Sequence, residues 1–82
     1  MPLEDKQAAR MVERELHKIA IDPALVTVAV INQVAYIGGR VRRLRTADGR
    51  GLDLRKAMQD LEDHLRLLPG IRDVVVDATY DL

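Results

Sequence analysis

The sequence contains no cysteine, serine, tryptophan or phenylalanine, and Tyr36 and Tyr80 are its only large aromatic side chains. Without cysteine there can be no disulfide staple and no thiolate metal site. Without serine or cysteine, the remaining nucleophiles are Thr27, Thr46, Thr79, the tyrosines and the lysines, and none has a histidine at a spacing that suggests activation. Two tyrosines are poor material for a surface that stacks on single-stranded bases. No apolar run approaches the roughly 18 residues of a membrane span. The Met1-Pro2-Leu3-Glu4-Asp5 start is acidic and unlike a signal peptide. These absences lead us to expect a non-enzymatic cytoplasmic protein with no transmembrane segment and no cofactor.

What remains suffices for one domain over residues 1–82, with 48% hydrophobic and 32% charged residues. A chain this short buries only about 60–65% of the surface that its unfolded form exposes. Self-association is a common way for so small a domain to add burial.

Hydrophobic spacing predicts a helix over 5–20, with Val12, Leu16 and Ile19 on one stripe and Asp22-Pro23 ending it. Leu25 to Ile31 is rich in β-branched residues and reads as a strand. Residues 34–44 read as a second strand, so Asn32-Gln33 falls at hairpin spacing. A two-residue hairpin turn asks for positive φ at both positions, which suits Asn32 and does not suit Gln33. Arg45–Leu52 reads as a loop. Asp53 is placed to cap a second helix over 54–68, with Leu54, Met58, Leu61, Leu65 and Leu68 on its apolar stripe. Pro69-Gly70 stops it, and residues 72–80 form a third strand around Val74, Val75 and Val76. The expected fold class is α+β, in the order α-β-β-α-β. It would be a three-stranded mixed sheet with two helices packed on one face, its strand order open.

Several of these residues form a familiar pattern. They are Asp22-Pro23-Ala24 after the first helix, Val28 and Val30 leading into Asn32, and Ile37, Gly39 and Val41 at alternate positions. Leu65, Leu68-Pro69-Gly70-Ile71 and Val74 complete it. In this pattern, from about residue 12 to 80, the chain resembles the BON domain, a small bacterial module. A ring-building domain of secretion systems has a similar layout. The resemblance implies a non-enzymatic module that meets phospholipid surfaces or other proteins. Two features depart from the family: Gln33 stands where glycine is usual, and the stretch from Val41 to Pro69 is several residues longer. The family is also usually exported and often tandem, whereas this chain reads as solitary and without a signal.

Candidate chemistry is sparse. His17 and His64 lie on different helices, each with an acid four residues earlier, Glu13 and Asp60. A metal site would need the two brought together with a third ligand, so none is expected. The paired acids Glu62-Asp63 and Glu13 with Glu15 alternate with Arg and Lys on helix faces that should be solvated, which is not a general acid–base arrangement. Gly38-Gly39 is followed by Arg40-Val41 and not by the Lys and Ser/Thr of a phosphate loop; Gly39 is expected to let a helix approach the sheet.

Two surfaces could meet a partner. The first is basic. Net charge is zero overall, yet residues 40–56 carry seven basic groups against two acids, while 57–82 carry two against six. Arg40, Arg42, Arg43, Arg45 and Arg50 are therefore candidates for binding an anion, such as a phospholipid headgroup, an acidic protein or nucleic acid. Nucleic acid is the weakest of these, because interleaved aromatics are missing. The plainer alternative is a solvated edge that deters strand pairing, partly neutralised by the acidic C-terminal third.

The second surface follows from alternation along strands. If Ile37, Gly39 and Val41 face the helices, then Ala29, Ile31, Val34, Tyr36 and Val75 lie on the uncovered face. A patch of that kind reads as a partner interface, most simply a homodimer through the sheets. Scattered surface hydrophobes are the ordinary alternative.

Overall fold

The computed structural model describes residues 3–45 and 51–81. Most of the expected Arg45–Leu52 loop, including Arg50, lies outside the described residues.

The first helix, α1 (Leu3–His17), puts Ala8, Val12 and Leu16 on one buried stripe at four-residue steps. Glu4 and Asp5 occupy its first turn and His17 its last, the charge order that the helix dipole favours. It ends three residues earlier than the spacing predicts. The chain tightens there, as the Ile19 N–H donates to the Leu16 carbonyl and the Ile21 N–H to the Ile19 carbonyl. Asp22 then caps a 3-10 turn at Pro23–Leu25, its carboxylate accepting from the Ala24 N–H at 3.0 Å.

The sheet consists of β1 (Val26–Ile31), β2 (Val34–Arg42) and β3 (Asp73–Asp81), in the order β1-β2-β3. β1 and β2 form an antiparallel hairpin, with Ile31 opposite Val34 and Ala29 opposite Tyr36. β2 and β3 are parallel, from Val34 opposite Asp73 to Arg42 opposite Asp81. The second helix, α2 (Leu54–Leu65), makes the crossover that a parallel pair requires. Asp53 caps it through the Lys56 N–H at 3.2 Å. It too stops short of the predicted end. Tighter turns, Leu67 N–H to the His64 carbonyl and Leu68 N–H to the Leu65 carbonyl, carry the chain to Gly70 at φ +86°.

Strand parity agrees with the sequence reading. Val30, Ala35, Ile37, Val41 and Val74 are buried together with Ala8, Val12 and Leu16 of α1 and with Leu54, Met58, Leu61 and Leu65 of α2. Both helices therefore cover one face of the sheet.

Two details differ from expectation. The hairpin turn is a two-residue loop with positive φ at both Asn32 (52°) and Gln33 (67°), so Gln33 adopts the conformation that its side chain disfavours. The reason is long-range: Asp5, buried at 5% exposure, accepts from the Asn32 N–H at 3.2 Å and the Gln33 N–H at 3.4 Å. Gly39 does not make room for a helix. It sits at φ +90° where β1 begins, and a Cβ there would overlap the Leu25 carbonyl oxygen.

Candidate interaction surface

The five apolar candidates fall on one side of the sheet, the side away from the helices. β2 is central and brings them together. Tyr36 lies between Ala29 on β1 and Val75 on β3, and Val34 lies between Ile31 and Asp73. Ile31 is 53% exposed, Tyr36 43% and Val75 41%, while Ala29 and Val34 are half-buried between them. The next level along the strands holds Thr27, Gly38 and Asp77. Here the face sinks into a shallow depression of about 260 Å³, lined by Thr27, Ala29, Tyr36, Gly38, Val75 and Asp77.

The far end of the same face is charged. Arg40 and Arg42 follow Gly38 on β2 with the same parity, and both close on Asp81 of β3, at 2.9 and 3.3 Å. Asp73 marks the opposite end, beside Val34. Asp73 in turn faces Arg66 at the end of α2, 3.6 Å away, and Asp77 adds a carboxylate midway, so charges of both signs flank the apolar patch.

The basic segment as a whole is not one surface. Arg40 and Arg42 belong to the bare face. Arg43 lies beyond β2, in an isolated bridge with Ile21, and its Nε donates to the Leu52 carbonyl at 2.6 Å. Arg45 is exposed past the end of the sheet, and Arg50 falls outside the described residues. Arg55, on α2, places its guanidinium 5.9 Å from the centre of the Tyr80 ring on the helix side. The sequence shows the run of arginines; it does not show that their carboxylate partner is the far C-terminal Asp81.

His64 is also partnered differently from its i,i+4 spacing. Asp60 pairs with Lys56 at 3.1 Å, and His64 reaches across to α1, with Nε2 3.1 Å from Glu15 Oε2. Lys18 holds the other Glu15 oxygen at 2.9 Å. Hydrogen bonding to Lys18, helped by the Lys18 and His64 charges and opposed by burial, holds the Glu15 carboxyl below its usual range. The two helices are thereby pinned at an exposed seam. Among the described residues, no group of three His, Asp or Glu side chains could hold a metal ion, and no helix is long and apolar enough to cross a membrane. No protein-family model matches the chain, and no curated protein matches it.

Proposed function

We propose that this chain is a non-enzymatic binding and assembly module that associates with a second copy of itself through the bare face of its sheet. The observation that carries this reading is the contiguous exposure of Ile31, Tyr36 and Val75 on the face opposite both helices. Large apolar side chains gathered in one patch mark an interface more often than the same side chains scattered singly. The extra burial also suits a domain too small to build a generous core.

The size of the face bounds the kind of association. Three strands about 4.8 Å apart and up to about 30 Å long give roughly 400 Å² of flat area per partner. That is the low end of protein interfaces, where association is weak and exchanging. A weak, exchanging dimer fits a face of this size, and a permanent one does not.

The α-β-β-α-β order, with Asp22-Pro23 after the first helix and Leu68-Pro69-Gly70 after the second, supports a BON-like module as the broader class. An anionic ligand held by the arginine segment is the weaker reading. Its described arginines divide between the two sides of the sheet, and Arg40 and Arg42 already share Asp81.

The experiment is light scattering behind size-exclusion chromatography over a wide concentration range. The apparent mass should rise with concentration for the native chain. It should stay at the monomer value for Ile31→Glu combined with Tyr36→Glu. A native chain that is monomeric throughout, or a variant that associates equally well, contradicts the reading.

A further inference from the structure

This inference rests on the self-association just described and specifies its geometry: we propose that the two copies pack with their strands antiparallel, each inserting Tyr36 into the depression over Gly38 of the other. Tyr36 and Gly38 are adjacent outward-facing positions of the central strand, one carrying the largest side chain of the face and the other none. Gly38 has no positive φ, so its backbone does not require glycine, unlike Gly39 next to it. What the missing side chain provides is the depression.

A twofold axis lying across the strands, level with Ile37, exchanges the two positions. It seats each ring over the partner's bare backbone, and the pairing is isologous, as a closed dimer demands. The walls suit the visitor. Ala29 and Val75 would line the ring, while the Thr27 hydroxyl and the Asp77 carboxylate stand ready for a phenol that needs a hydrogen-bond partner once buried.

Charge agrees with the same axis. It lays the level of Arg40 over the level of Val34 and Asp73, which keeps the arginines of the two copies apart. An axis running along the strands would instead set Arg40 against Arg40 and Tyr36 against Tyr36. Like charges facing each other across an interface disfavour that arrangement.

The test exchanges knob and hole between two chains. Chain one carries Gly38→Leu and chain two carries Tyr36→Ala. Alone, the first sets Tyr36 against the introduced leucine and the second leaves two empty depressions. Each should therefore self-associate at least about tenfold more weakly than the native chain. Mixed in equal amounts, the native Tyr36 of chain one finds the native Gly38 of chain two, and the introduced leucine finds the introduced alanine. Sedimentation velocity with one chain fluorescently labelled should then show a mixed dimer within about threefold of native affinity, a gap of less than one tenfold step.

A Cβ at position 38 would lie 3.0 Å from Thr27 Oγ1, so melting curves accompany each variant. If Gly38→Leu melts early, the exchange is repeated in a Thr27→Ala background, which removes that atom. A mixture no tighter than either chain alone overturns the antiparallel insertion, as does Gly38→Leu that dimerises like the native chain. A native chain that never associates removes the underlying reading itself, which is a distinct result.

Discussion

The carboxylate of Asp5, on the first turn of α1, lies 3.4 Å from the backbone N–H of Gln33, in the middle of the β1–β2 turn. The same carboxylate holds the Asn32 N–H at 3.2 Å, so one acid on the helix stabilises a left-handed pair of residues that the local sequence alone would not choose. A charge-assisted bond to a half-buried amide contributes about 1.5–3 kcal/mol. Asp5→Ala should therefore lower stability by about 2 kcal/mol in urea unfolding, and more than Asp60→Ala, whose partner Lys56 is exposed.

Gln33→Gly tests the other half of that relationship. A non-glycine residue in the left-handed region costs about 1–2 kcal/mol, against which glycine loses more chain entropy on folding. The net expectation is a gain of up to about 1 kcal/mol, read as a higher urea midpoint with the slope unchanged. A loss would mean that the Gln33 side chain contributes something beyond its backbone position.

Glycines 39 and 70 both have positive φ, at 90° and 86°, but their surroundings differ. A Cβ at Gly39 would overlap the Leu25 carbonyl oxygen, whereas one at Gly70 would only touch Ala8 Cβ at 3.6 Å. Gly70→Ala should cost about 1 kcal/mol, from conformation alone. Gly39→Ala should cost at least about twice that, because the start of β1 must also move. Equal costs would show that the backbone at Leu25 gives way easily.

The Glu15 seam gives a pH signature. A carboxyl held below its usual range contributes stability that is fully present above that range and is lost as pH falls through the lowered value. Glu15→Gln should therefore melt at a lower temperature than the native chain near neutral pH, with the gap closing in acid. A gap that widens in acid would contradict the sign.

The parts of the fold that depend on local periodicity are legible in the sequence. Alternation in Val26–Ile31 and in residues 34–41 places Ile37 and Val41 toward the helices and Tyr36 away from them, as observed. The same alternation is enough to name the five apolar face residues. What depends on distant partners is not legible. The turn conformation is held by an acid 27 and 28 positions away, and the Arg40–Asp81 pair spans 41. Helical spacing sets His64 beside Asp60, yet Lys56 on the same helix takes that acid. Gly39 stands out in the sequence, but its neighbour is the 3-10 turn before β1, which no spacing rule reveals. The uncovered side of the sheet follows from parity; which charged residues flank its apolar patch needs the β2–β3 register, which only the structure supplies.

The most direct test of the central claim is the mass of the native chain by sedimentation equilibrium, from low micromolar to near millimolar concentration. The account predicts a smooth rise from 9.2 kDa toward twice that value, with the Ile31→Glu/Tyr36→Glu chain staying at the lower limit. A native chain that holds 9.2 kDa across the whole range would contradict it.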